Sequence, residues 1–316
     1  MKKNSIFRLV SVVLALVLAL GVTACSAKPA VSAAAEVPAA SEAPATDVTV
    51  RIGSKDFTEN LILAELYALA LEGKGFQVER KFSIASSVVH TALVNKEIDL
   101  YPEYTGTGLL AVLKHEIVTD PQKVYDIVKE EYQKQFNLTW LDYSAANDGQ
   151  GLVINTAIAK ELGIVTISDL QKNADKIRFA SQGEFDQRED GLPALEQVYG
   201  PFNFKSKEVF DNALKYEVLS SDKADLAVAY TTEGALVDPK FTLLTDDKFV
   251  WPPYNIAPVG SSELLDAYPA IAEVLNKLSA KIDTATITKL NAEVDVNQRE
   301  YEEVAKEFYD SIKDLL

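Results

Sequence analysis

Apolar and polar positions follow two alternating rhythms along most of the chain, and their succession predicts an architecture. Residues 48–53 form an apolar run of strand length. Residues 57–73 repeat apolar side chains at helical spacing and end on glycine, and 77–83 return to the two-residue period of a strand. Helical spacing then covers 86–94 and strand character 97–100, with an apolar helix expected after Gly106. Strand, helix, strand, helix, strand predicts a parallel sheet with helices on both faces. A second series starts near Gly151, with strands at 152–154, 178–181 and 226–230 and helices at 192–199 and 212–220. Beyond Ser261 the pattern is mostly helical, including 270–282 and an amphipathic stretch at 299–316. No internal sequence repeat stands out. Two α/β series and a helical return predict an α/β protein of two lobes, joined by crossing segments near 147–152 and 251–258.

The first residues follow neither rhythm. Lys2, Lys3 and Arg8 precede a run, 9–22, that is apolar apart from Ser11 and Gly21, and Val22-Thr23-Ala24-Cys25 follows. A basic head, a short apolar stretch and small residues describe a secretory signal, too short for a membrane span. Cys25 is the only cysteine in 316 residues. Its place resembles a bacterial lipobox, with valine for the usual leucine, in which the cysteine becomes the lipid-modified first residue. Residues 26–47 are almost entirely Ala, Pro, Ser, Val and Glu, a composition that cannot offset the entropy of ordering and reads as a flexible tether. The expected division is therefore 1–24 signal peptide, 25–47 lipidated cysteine and tether, 48–148 with 255–316 as lobe 1, and 149–254 as lobe 2. That places the folded part outside the cytoplasm, tied to the cell membrane at a bacterial surface or in a periplasm. The formal net charge of −16 argues against nucleic acid or anionic lipid as partners. With its one cysteine lipidated, the folded part has no disulfide and depends on its core.

Catalysis has little to work with. The two histidines, His90 and His115, lie in helical, partly apolar surroundings, and no Cys or His cluster has metal-ligand spacing. No nucleophile elbow or Gly-rich phosphate loop is present. No metal, no cofactor and no enzymatic activity are expected. Asp99 and Glu103 could form a carboxylate pair for a cell-surface hydrolase, although 47 acidic residues make such pairs frequent by chance.

Aromatic residues at junctions suggest binding instead. Asp99-Leu100-Tyr101-Pro102-Glu103-Tyr104-Thr105-Gly106-Thr107 places tyrosines and threonines at a strand-to-helix junction, where open α/β sheets hold their ligands. Tyr230 ends a strand of the second series, and Tyr254 follows Trp251-Pro252-Pro253 in a crossing segment. Tyrosine faces converging on one space would hold a quaternary ammonium at ~0.5–2 kcal/mol per ring. The same rings could stack on a sugar or simply pack.

Five ordered motifs carry a resemblance. Gly53-Ser54-Lys55-Asp56-Phe57-Thr58-Glu59-Asn60, the run from Asp99 to Thr107, Arg188-Glu189-Asp190-Gly191, Ala229-Tyr230 and Pro252-Pro253-Tyr254 together resemble the substrate-binding proteins of osmoprotectant ABC importers for glycine betaine, choline and carnitine. The resemblance implies a two-lobed periplasmic-binding-protein fold of type II character, each lobe a mixed, mainly parallel sheet flanked by helices, with the ligand in the cleft between them. It further implies a monomer that captures a small quaternary ammonium solute and delivers it to a membrane permease. By motif position Tyr104, Tyr230 and Tyr254 would be cage walls, and Lys55, Thr107 and Arg188 would face a ligand carboxylate. Asp148 matches a position at the cage edge. Gln150 stands where some members carry tyrosine, which leaves open the choice among these solutes, a larger betaine such as ergothioneine, or an amino acid. Tyr101, Tyr143 or Trp251 could complete the cage. Competing readings make Lys55 a surface helix-cap lysine, Arg188 a solvated ion-pair partner, Thr107 a helix cap and Tyr101 a packing residue.

Overall fold

A computed structural model describes residues 48–316 apart from Glu184 and Glu189. The expected signal peptide, Cys25 and the tether lie outside the described residues. Among the described residues ten strands form two sheets: β1 Thr49–Gly53, β2 Gln77–Lys81, β3 Leu100–Tyr104, β4 Leu138–Trp140, β5 Gln150–Asn155, β6 Arg178–Ser181, β7 Ser206–Val209, β8 Leu226–Tyr230, β9 Phe241–Leu243 and β10 Ile256–Ser261. The first sheet is ordered β2-β1-β3-β10-β4 and the second β7-β6-β8-β5-β9. Both are mixed. In each, two pairings are parallel and two antiparallel, where the opening series alone suggested a parallel majority.

Six helices exceed seven residues among those described: α1 Thr58–Glu72, α2 Pro121–Phe136, α3 Leu192–Tyr199, α4 Pro269–Ser279, α5 Thr284–Asp295 and α6 Tyr301–Ile312. Helix α1 is apolar on nearly every side because the first sheet, α4, α5 and α6 all pack on it. Asp120 and Asp283 cap α2 and α5 by accepting the backbone N–H of Lys123 and Thr286. Side chains of the first sheet alternate between two cores, so Leu100 and Tyr104 face the α1 side and Tyr101 the α2 side. The second sheet likewise separates two apolar clusters.

Two boundaries differ from expectation. Strand β3 starts at Leu100 rather than ending there and runs through Pro102 to Tyr104. Thr105 N donates to Asn255 O at 2.9 Å, which leaves Pro102 in a non-hydrogen-bonded pair opposite Pro258. Neither proline owes its partner an N–H, so the strand tolerates both. The following helical turn begins at Thr105, ahead of Gly106. The segment 251–258, expected to be a crossing, ends in β10, which enters the first sheet between β3 and β4.

The chain passes between the sheets twice, after β4 and before β10. These passages are paired with each other: Asn147 and Asn255 form an antiparallel bridge, Tyr254 N donates to Asn147 Oδ1 at 2.5 Å, and Asp148 N to Tyr254 O at 3.1 Å. Among the described residues no helix is long and apolar enough to cross a membrane.

Candidate functional site

Strand β1 pairs with β3 only as far as Leu100, so the last residues of β3 present a free backbone edge. Side chains satisfy it. Asn60 Nδ2 donates to Pro102 O at 2.9 Å, and Tyr104 N donates to Glu103 Oε1 at 2.8 Å. This edge opens into a cleft of about 770 Å³ lined from both sheets, both crossing passages and α5. All eight residues singled out in the sequence line it: Lys55, Tyr104, Thr107, Asp148, Gln150, Arg188, Tyr230 and Tyr254.

Their surroundings differ. Lys55 is 4% exposed, forms an ion pair with Glu103, and holds its ammonium 4.8 Å from the centre of the Tyr104 ring. It is therefore no surface cap. Tyr104 is 3% exposed and donates its hydroxyl to Glu59 Oε1 at 2.9 Å, while Phe57 tilts against its ring at 6.1 Å. Burial and the neighbouring Glu59 carboxyl push the Tyr104 hydroxyl well above the ordinary tyrosine range. Tyr230, at the end of β8, is 41% exposed. Tyr254 holds its ring over the turn at Gly106. A Cβ there would sit 2.7 Å from that ring, so only glycine admits the approach. Thr107 does not cap its helix. Thr105 instead accepts from Asn255 N and donates to Pro253 O, fastening the second passage.

Gln150, Arg188 and Trp251 gather on Asp190. Gln150 Nε2 lies 3.0 Å from Asp190 Oδ2, Arg188 forks onto the same carboxylate at 2.8 and 2.5 Å, and Trp251 Nε1 donates to its backbone oxygen at 2.7 Å. Burial raises the Asp190 carboxyl, but the Arg188 fork outweighs it and holds the group below its ordinary range. Of the residues considered for completing the cage, Trp251 is buried beneath this group, Tyr101 faces the α2 core, and Tyr143 packs on Tyr125. The two carboxylates considered for hydrolysis do not form a pair: Arg51 holds Asp99, and Lys55 holds Glu103.

The sequence reading gave no role to Glu59, Asp190, Thr232 or Asn291, all of which line the cleft. Asn291 Nδ2 donates to Glu59 Oε2 at 2.8 Å and to Thr232 O at 2.9 Å, and Thr232 Oγ1 donates to Asp148 Oδ1 at 2.7 Å. A hydrogen-bonded chain thus runs from Tyr104 of the first sheet to Thr232, just past the second. Gly234 makes room for it, since a Cβ there would meet the backbone of Ala292 at 2.6 Å and push α5 away. Glu59 and Asp190 stood within quoted motifs without being assigned a role; Asn291 lies on a largely polar helix that offered no signal.

A family model described as the substrate-binding domain of the ABC-type glycine betaine transport system matches residues 48–311. A glycine-betaine-binding protein of Pseudomonas aeruginosa is 33% identical over 271 residues, covering 82% of this chain and 86% of that one. The ergothioneine transport permease/ergothioneine binding protein EgtU of Helicobacter pylori is 32% identical over 264 residues. The match covers 83% of this chain and 47% of EgtU, so this chain corresponds to about half of that protein. A solved glycine betaine/carnitine/choline ABC transporter chain superposes with a TM-score of 0.80 at 28% identity, covering 85% of this chain and 99% of that one.

Proposed function

Because the chain belongs to the family of substrate-binding domains of ABC-type glycine betaine transport systems, we propose that its cleft captures a quaternary ammonium solute between aromatic faces and that closure delivers it to the permease. One observation carries this reading: Tyr104, Tyr230 and Tyr254, drawn from three separate segments, line one cleft. Each ring face contributes ~0.5–2 kcal/mol toward a cation. Lys55, Thr107, Arg188, Asp148 and Gln150 complete the contacts, and a ligand carboxylate would compete with Asp190 for the Arg188 fork. Closure is a hinge motion at the paired passages, favoured by the ligand because only the closed state brings both walls onto it. Cys25 carries the lipid that keeps the protein, a monomer, at the outer face of the membrane. Lobe 1 comprises 48–148 with 255–316 and lobe 2 comprises 149–254.

Calorimetric titration of the protein with glycine betaine, carnitine, choline and ergothioneine, beside proline and a neutral sugar, tests this. Saturable heat from at least one quaternary ammonium, and none from the sugar, is the expected result. Binding of an uncharged ligand alone would overturn it. A betaine larger than glycine betaine is the second reading, favoured by Gln150, whose side chain bonds Asp190 where some relatives in the family carry a tyrosine.

A further inference from the structure

Charge is unevenly settled around the cleft. Lys55 is held by Glu103, Arg188 by Asp190, and Lys215 by Glu233. Glu59 and Asp148 have no ion-pair partner among the described residues, yet both line the cleft, and Glu59 is only 4% exposed. They are joined through Asn291 and Thr232. Asn291 is itself 3% exposed, and its Oδ1 has no hydrogen-bond partner among the described residues. Two carboxyl groups and an orphaned acceptor thus meet in one buried corner of the cleft that lacks a free cation. Such a corner is costly to leave charged and empty.

Resting on the proposed binding of a quaternary ammonium, we infer that Glu59 and Asp148 make capture proton-coupled. The empty cleft holds one proton on this pair, and the ligand's fixed positive charge replaces it, releasing the proton to solvent. Burial and mutual repulsion raise Glu59 above the ordinary carboxylate range, and burial likewise raises Asp148. The groups facing the pair are Tyr104 of β3, Tyr230 of β8, Tyr254 of the second passage, Asn291 and Asp295 of α5, Glu233 beyond β8, and the Lys55–Glu103 ion pair. Charged groups on the other elements around α1 are engaged elsewhere: Arg80 of β2 holds Glu65 and Glu72, Lys277 of α4 holds Glu273, and Lys306 of α6 holds Asp310. The sign follows from linkage. A cation that lowers the pair's proton affinity binds more tightly as pH rises, by up to about tenfold per pH unit for one proton, until the pair is ionised in the empty cleft.

Choline is the probe, since its charge does not titrate. Calorimetry between pH 5.5 and 8.5, in buffers of different ionisation enthalpy, counts the protons released. The expected result is a release approaching one proton that declines at high pH and vanishes in Glu59→Gln, with Asp148→Asn reducing it. Circular dichroism and thermal unfolding check that both variants fold. Choline binding with no proton release across this range overturns the coupling and leaves the binding function standing. Carbon-13 carboxyl NMR of the ligand-free protein supplies a readout independent of any ligand. A Glu59 signal titrating in the usual carboxylate range would overturn the coupling even if choline does not bind; the functional reading itself fails only if none of the quaternary ammonium solutes binds.

Discussion

The two sheets are the same device built twice. Strands β2-β1-β3-β10-β4 of the first correspond in order and sense to β7-β6-β8-β5-β9 of the second. Arg51 clamps Asp99 with backbone N, Nε and Nη2, and its Nη1 reaches Lys96 O; Arg178 grips Asp225 and Asp222 O in the same way. Tyr104 and Tyr230 each end the strand that follows the clamped aspartate, and each lies under a lysine that is paired with a glutamate. Their exposures differ by more than tenfold, 3% against 41%. Topology therefore sets where the two tyrosines stand, and their neighbours decide what they do. Glu59, Asn60, Phe57 and Lys55 enclose the first, while the second is left facing the cleft. The first wall is preorganised and the second remains to be covered.

The largest expected consequence concerns the enclosed ring. Tyr104→Ala should cost ~3–5 kcal/mol of unfolding stability, as buried aromatic truncations do. Tyr230→Ala should stay within ~0.5 kcal/mol yet weaken ligand binding. Urea denaturation beside calorimetry separates the two effects, and equal stability losses would break the contrast.

The clamps test the likeness rather than the difference. Asp99→Ala and Asp225→Ala each strand backbone and guanidinium donors and should cost ~1–3 kcal/mol. For Asp225, burial raises the carboxyl, but the Arg178 hydrogen bonds and charge hold it below its ordinary range. A depressed carboxyl contributes stability at pH above its unfolded value of about 3.9, and that contribution fades as pH falls through the folded value. The stability gap between wild type and Asp225→Asn should accordingly close on acidification below about pH 4. A gap that widens there would refute the assignment.

Comparable or smaller effects are expected where the passages meet the first wall. Gly106→Ala forces the Tyr254 ring to shift, at ~1–3 kcal/mol, with weaker binding. Tyr254→Phe keeps the ring face and should lower affinity less than Tyr254→Ala; equal losses would assign the hydroxyl the main role.

Much of this was legible before the structure. Apolar periodicity located β1, α1 and β8, and the ordered motifs with the crossing segment at 147–150 named eight residues that share one cleft. The duplicated architecture was hidden because it survives in few residues: Asp99-Leu100 with Tyr104-Thr105, and Asp225-Leu226 with Tyr230-Thr231. The strand through Pro102 was hidden because proline is tolerated only where the partner asks for no N–H, which depends on Pro258 across the ladder. Thr232 and Asn291 were hidden for a related reason. Their importance comes from long-range hydrogen bonds made on polar segments, and no local pattern announces those.

On the proposed reading, aromatic faces in this cleft select a quaternary ammonium for its charge. Titrating the protein with choline and with its uncharged carbon isostere, 3,3-dimethylbutan-1-ol, tests it with shape held constant. Choline should bind at least about tenfold more tightly, one cation–π contribution of ~1.4 kcal/mol or more. Equal affinities, or tighter binding of the alcohol, would contradict the account.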